Sequence, residues 1–245
     1  MENKLKLAKE KLIVALDVDT GEAALDLVKK LSTQVGMFKV GMQLFYQAGP
    51  DIVKRLKEAG VRVFLDLKLH DIPNTVAQAA RGLTALGADI INVHAAGGTA
   101  MMRAAAEAVR EQAAALGRPA PRVIAVTVLT SIDPTAFQYE LGFTCDIQRK
   151  VADWALLTRQ AGLDGVVASP REIAVIRRAC GEDFLIITPG IRPAWSVAGD
   201  QKRIMTPAAA LGQGAGYLVV GRPITGQADP AAAAQKIITE LAEVL

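Results

Sequence analysis

The sequence predicts an α/β fold: a single (β/α)8 TIM barrel spanning residues 1–245. Three observations carry that expectation. Short apolar runs alternate with longer helical patterns along the whole chain, which implies right-handed βαβ units and a parallel sheet. The alternation repeats eight times, and eight units in about 250 residues is the arithmetic of a closed barrel. Polar residues collect at the C-terminal ends of the apolar runs, the rim on which barrel function is built. An open doubly wound sheet is the alternative, but the first turn, Asp17-Val-Asp-Thr-Gly21, lacks the glycine fingerprint of that class.

In order, residues 12–17 form the first apolar run and 22–31 the first helical pattern. Runs at 37–41, 61–68 and 89–94 follow, with helices at 51–59, 74–86 and 99–116 behind them. The fifth to eighth runs are 123–129, 165–168, 184–188 and 217–221, followed by helical patterns at 147–161, 172–179, 207–211 and 230–244. Gly60 and Gly87 each sit between a helix and a strand, where a left-handed residue ends a helix at low cost. Pro170 and Pro207 fall where a first helical turn tolerates proline. The two longest non-periodic loops, 130–144 and 189–206, follow strands five and seven and so share one end of the barrel.

Composition narrows the function class. Hydrophobic residues make up 51% and charged residues 22% of the chain, as in soluble globular proteins. A net charge of +3, without basic runs interleaved with aromatics, argues against a nucleic-acid partner. The sequence pI of 8.9 hints at an anionic ligand. No apolar stretch is long enough to span a membrane, and the charged N-terminus does not read as a signal peptide. Cys145 and Cys180 are far apart, lack metal-ligand spacing, and suit a reducing compartment. The expectation is a cytoplasmic enzyme.

The densest chemistry lies at 63–75, where an apolar strand ends in a row of charge. Asp66 and Lys68 at i, i+2 point to one face, while Val63, Leu65 and Leu67 face a covering layer. Asp71 follows three residues on. A solvated strand end is the other reading, but charge aimed at one place at a strand terminus suits a catalytic group, because burying it elsewhere is costly. Asp17 ends strand one, Lys39 lies on strand two, Asn92 and His94 end strand four, and Thr130-Ser131 end strand five. Arg192 follows strand seven and Gly221-Arg222 follow strand eight. The strand seven–eight rim is a common phosphate site. Gly221 would let an anion approach backbone N–H groups, and Arg222 would add a forked cationic contact. Arg192 and Gln201 lie on a loop that would close over the phosphate. Lys39, Asp66, Lys68 and Asp71 alternate in sign. A lysine flanked by carboxylates is held as ammonium, suited to donate a proton and stabilise developing negative charge. The interposed lysines argue against a divalent metal between the aspartates.

These residues resemble the orotidine 5′-phosphate decarboxylase family in its bacterial form. Asp66-Leu-Lys68-Leu-His-Asp71-Ile-Pro-Asn-Thr75 is similar to the family signature. Ala15-Leu-Asp17, Phe38-Lys39-Val-Gly41, Asn92-Val-His94-Ala, Val128-Leu-Thr130-Ser, Pro189-Gly-Ile-Arg192-Pro, Asp200-Gln201 and Val220-Gly221-Arg222-Pro-Ile also match, in the family's order and across nearly the whole chain. The resemblance implies decarboxylation of orotidine 5′-monophosphate to uridine 5′-monophosphate in de novo pyrimidine synthesis, without metal or organic cofactor. It implies Lys68 as proton donor to C6, Asp66 beside the substrate carboxylate, and Asp17 and Lys39 on ribose hydroxyls. Thr130 or Ser131 would read the pyrimidine. Arg192, Gln201, Gly221 and Arg222 would hold the phosphate, with residues 192–203 as a lid. Asp71 and Thr75 would complete the site of a partner subunit, giving a homodimer with shared active sites. The rivals are a magnesium-dependent sugar-phosphate enzyme on the same barrel, which would want a carboxylate where this chain has Lys39, and a nucleotide-binding barrel without chemistry.

Overall fold

The computed structural model describes residues 1–196 and 205–245. Eight parallel strands close into a barrel in strict sequence order. They are β1 (Leu12–Ala15), β2 (Met37–Gly41), β3 (Val63–Leu69), β4 (Ile90–His94), β5 (Arg122–Val126), β6 (Gly165–Val167), β7 (Leu185–Thr188) and β8 (Tyr217–Val220). Closure is made by β1 on β8, with Leu12 opposite Leu218 and Val14 opposite Val220. All eight expected strands are present.

Alternation along the strands divides the core in two. Inward residues, including Ile13, Phe64, Ile90, Ile124, Ile187 and Val219, fill the barrel as an apolar plug. Outward residues such as Val14, Leu65, Ile91 and Ile186 pack under the ring of helices. The strand starts are tied at the opposite rim: the Asp89 carboxylate accepts the N–H of Val63, and Asp164 accepts that of Val123, each at 2.7 Å. These bonds satisfy backbone donors that the ladder leaves over.

Helix ends follow the sequence signals. Thr20, Asp146 and Asp229 accept the N–H groups of Ala23, Arg149 and Ala232 as side-chain N-caps. Gly60 and Gly87 adopt φ of +75° and +93°. Three helices were not anticipated: Glu2–Lys11, Met42–Ala48 and Arg222–Thr225. The first packs against the C-terminal helix Pro230–Val244. Its own pattern is charged, and tertiary contact around the buried Ala8 holds it. The loop after β5 contains a wide helical turn, Ala136–Glu140. Phe137 in that turn stacks on Phe143 at 4.5 Å, and Phe143 meets Trp154 edge-on at 5.7 Å. Trp154 thus joins the core margin, whereas Trp195 is 44% exposed, with the Lys236 ammonium 5.6 Å from its ring. Among the described residues, no helix is long and apolar enough to cross a membrane.

The close approach of β6 to β7 depends on a residue with no side chain. A methyl at Gly165 would run into the Leu185 carbonyl and lie 2.6 Å from its Cβ. Gly165→Ala is expected to lower stability by about 1–3 kcal/mol, the usual cost of overpacking, as a reduced urea midpoint at unchanged m-value.

Candidate active site

The C-terminal ends of the strands surround a cavity of about 260 Å³. Asp17, Lys39, Asp66, Lys68, Thr130, Arg192, Gly221 and Arg222 all line it. Its floor is apolar, formed by Ala15, Phe64, Val126, Val167 and Val219. Four charged side chains from three strand ends form an alternating row across one side. Lys39 Nζ lies 3.1 Å from Asp17 Oδ1 and 3.4 Å from Asp66 Oδ2. Lys68 Nζ lies 2.7 Å from Asp66 Oδ1. The Asp66 side chain is only 14% exposed. Burial by itself would raise its carboxyl. The ammonium groups of Lys39 and Lys68, with hydrogen bonds from Lys68 and Asn92, outweigh burial and hold it below the usual carboxylate range.

Asp66 faces the barrel axis because it stands two residues after the inward Phe64. Lys68 reaches the same side by a different route. The ladder between β3 and β4 is irregular, with Leu65 opposite Ile91 but Leu69 opposite Val93. Within that bulge Lys68 takes φ +53°, the one positive φ among described non-glycine residues. Bulges of this kind re-aim a side chain beside a functional site. Simple i, i+2 alternation therefore predicted the right direction for Lys68 but not the backbone that produces it.

Gly41 makes room for Lys39. A Cβ there would lie 2.8 Å from Lys39 Nζ and 3.4 Å from Asp17 Oδ1. The far end of the cavity is cationic. Arg192 is 8% exposed, and burial, then the neighbouring charge of Arg222, pushes its guanidinium below its ordinary value. An anion placed against both guanidinium groups would offset that repulsion. Gly221 stands open between them and the row: a Cβ there would meet only Ala15 Cβ at 3.6 Å and Asp17 Oδ2 at 3.7 Å. The cavity thus presents the Lys68 ammonium beside Asp66 on one side and the Arg192 and Arg222 guanidinium groups on another.

Other expected residues fall elsewhere. Of the pair Thr130 and Ser131, Thr130 lines the cavity and Ser131 is exposed. Asp71 and Thr75 do not line it; they stand on an exposed segment, 70–75, with Ile72 67% exposed. Asp71 was expected to flank Lys68. In the single chain its carboxylate instead accepts the N–H of Ile72, and Asp66 is the carboxylate that pairs with Lys68. Gln201 and most of the expected lid, 192–203, lie outside the described residues.

Two polar residues at the end of strand four lie beside the row, and one of them, Asn92, bonds to it directly. Asn92 is fully buried and donates to Asp66 Oδ1 at 2.7 Å. His94 is lowered by burial, then by the charges of His70 and Lys68, and its ring lies 5.3 Å from that of His70. A polar residue at an inward position of a barrel strand was the available signal for both. Among the described residues, no group of three or more His, Cys, Asp or Glu side chains is arranged to hold a metal ion.

Comparison with known proteins gives this arrangement a family. The model of the orotidine 5′-phosphate decarboxylase / HUMPS family matches residues 10–237. A protein of Moorella thermoacetica named orotidine 5′-phosphate decarboxylase is 62% identical over 96% of this chain and 93% of its own length. One of the same name from Syntrophomonas wolfei is 54% identical over 96% of this chain and 99% of its own. The crystal structure of orotidine 5′-phosphate decarboxylase from Lactobacillus acidophilus superposes with a TM-score of 0.83 at 40% identity, covering 94% of this chain and 98% of that one. By fold, by sequence over nearly its full length and by the residues gathered at the strand ends, the chain belongs to the orotidine 5′-phosphate decarboxylase / HUMPS family.

Proposed function

We propose that this enzyme is a carboxy-lyase that converts orotidine 5′-monophosphate to uridine 5′-monophosphate in pyrimidine biosynthesis, without a metal or organic cofactor. The observation that carries the reading is the Asp17–Lys39–Asp66–Lys68 row facing two arginines across one cavity. A nucleoside monophosphate carries a phosphate at one end and the reacting carboxylate at the other, and the cavity is charged to suit both. The relatives' shared name supports the same choice over a sugar-phosphate enzyme of the wider family.

In the proposed reaction, Arg192, Arg222, Gly221 and Gln201 hold the phosphate. Asp17 and Lys39 take ribose hydroxyls, and Thr130 reads the pyrimidine. The bond between C6 and the carboxylate carbon breaks, carbon dioxide leaves, and the electron pair stays on C6. The Lys68 ammonium stabilises that pair as it develops and then transfers a proton to C6; solvent returns a proton to the amine after product leaves. Electrostatic preorganisation is the main contribution, because the ammonium is already oriented by Asp66 over an apolar floor. Asp66, beside the departing carboxylate, fixes Lys68 and disfavours a bound negative charge. Contacts to the phosphate, remote from C6, supply binding energy for closing the site.

The active assembly is proposed to be a homodimer in which Asp71 and Thr75 enter the partner's site. Their exposure on 70–75, together with the exposed Ile72, Met42 and Tyr46, supports that placement. The setting is a reducing cytoplasm, in keeping with two free cysteines.

The direct test is the loss of orotidine monophosphate absorbance on adding protein in excess chelator. Full turnover is expected, and activity that disappears with chelation would point instead to a magnesium-dependent enzyme. Lys68→Ala is expected to reduce kcat by at least about 10⁴-fold, since both the acid and the charge are lost, while uridine monophosphate binding by calorimetry persists. Near-normal turnover in that variant would rule out the proton-donor role. Mixing Asp71→Ala with Lys68→Ala protein should restore part of the activity through hybrid dimers, each with one intact site. No recovery in isolated hybrids would rule out sharing.

A further inference from the structure

Asn92 occupies an inward position of β4, between Ile91 and Val93, which pack under the helices. It is 0% exposed and lies beneath the cavity rather than on its wall. A buried amide is stable only with its donors and acceptor matched. Asn92 Oδ1 accepts the backbone N–H of Lys68 at 2.8 Å, and its Nδ2 donates to Asp66 Oδ1 at 2.7 Å. Flipping the amide would set N–H against N–H and oxygen against carboxylate, so one orientation alone serves both neighbours.

Both bonds fall at the irregularity in the sheet. Four residue steps on β3, from Leu65 to Leu69, span two steps on β4, from Ile91 to Val93. The surplus backbone in β3 cannot all pair with β4 main chain, and the Lys68 N–H is the donor taken by a side chain instead. Lys68 is held there at φ +53°, a conformation non-glycine residues adopt only when surrounding contacts impose it. The oxygen of Asp66 that accepts from Asn92 also accepts from Lys68 Nζ, leaving Oδ2 toward Lys39. Asn92 therefore reaches Lys68 at both ends: its backbone directly and its ammonium through Asp66.

We infer that Asn92 is a positioning residue of the reaction, locking the left-handed backbone of Lys68 and the orientation of Asp66 with one amide. This rests on the proposed role of Lys68 as proton donor. Asn92 delivers no proton and is screened from substrate by the side chains it holds. It determines where the ammonium stands relative to C6, and misplacement by about 1 Å is enough to cost about 100-fold in rate.

Two substitutions separate this role from packing. Asn92→Asp keeps the acceptor for the Lys68 N–H but replaces the donor to Asp66 with a second carboxylate oxygen. The groups facing that pair are Lys39 from β2, Lys68 from β3 and His94 from β4, with His70 beside His94 and Asp17 beyond Lys39. On β5, the residue opposite Asn92 is the uncharged Ile124. Two carboxylates in contact cannot both ionise freely, so the pair holds a shared proton to higher pH than Asp66 does alone. In Asn92→Asp the acid limb of kcat is expected to move up by at least about one pH unit, with KM changed far less. Asn92→Ala is expected to lower kcat about 100-fold per folded molecule, judged against its melting curve.

A third readout needs no substrate. The Lys68 amide hydrogen should exchange slowly in the wild-type protein and rapidly in Asn92→Ala, while the amides of Val63 to Leu67 stay protected. Superimposable pH profiles for Asn92→Asp and wild type would overturn the inference. So would equal protection of the Lys68 amide in Asn92→Ala and wild type, or a loss of activity in Asn92→Ala accounted for wholly by unfolding. Absence of wild-type turnover would count against the proposed function, and amide exchange would still decide the Asn92 contact.

Discussion

A nearly buried carboxylate held between two ammonium groups is the constraint on which the site depends. Asp66 is ionised below its ordinary range although burial opposes it, because Lys39 and Lys68 both lie within 3.4 Å and Asn92 adds a donor. Removing any member would leave a partly desolvated charge unmatched, which is costlier than never having buried the set. The row is therefore an electrostatic unit. Its members come from the ends of β1, β2 and β3, with Asn92 of β4 beneath, and the parallel pairing of these neighbouring strands brings them to one rim.

The barrel contributes more than a frame. The apolar plug of Ile13, Phe64, Ile90, Ile124, Ile187 and Val219 ends directly beneath the charged row. Field lines from the ammonium groups therefore run through a poorly polarisable floor rather than through water, where the same charges would be worth far less. Arg192 and Arg222 follow β7 and β8, so the cationic part of the cavity comes from a different arc of the ring than Lys39, Asp66 and Lys68. Small residues set the spacing within that ring. Gly41 leaves space for the Lys39 ammonium, and Gly165 allows β6 to approach β7.

Much of this was legible in the chain itself. The eight strands and their order follow from apolar runs whose period and length suit buried parallel strands. Asp17, Lys39, Asp66, Lys68, Thr130, Arg192, Gly221 and Arg222 were each placed near a strand end, and all eight line one cavity. The helix Glu2–Lys11 was not legible because its own pattern is charged, and contact with the C-terminal helix holds it. Asn92 was visible as an inward polar residue, but nothing local reveals which groups on the adjacent strand it will satisfy.

By itself, the sequence determined the barrel, the rim that carries the chemistry and the identity of its charged residues, because strand periodicity and strand ends are local properties. The tertiary structure alone decided which charges touch. Asp71 is three residues from Lys68 in the chain yet turns its carboxylate to the backbone, while Lys39, on a different strand, lies 3.4 Å from Asp66. It also decided the left-handed turn at Lys68, because that conformation comes from the mismatch of register between β3 and β4 and from the Asn92 amide that closes it. Register between strands is a property of the closed sheet, and no window of sequence contains it.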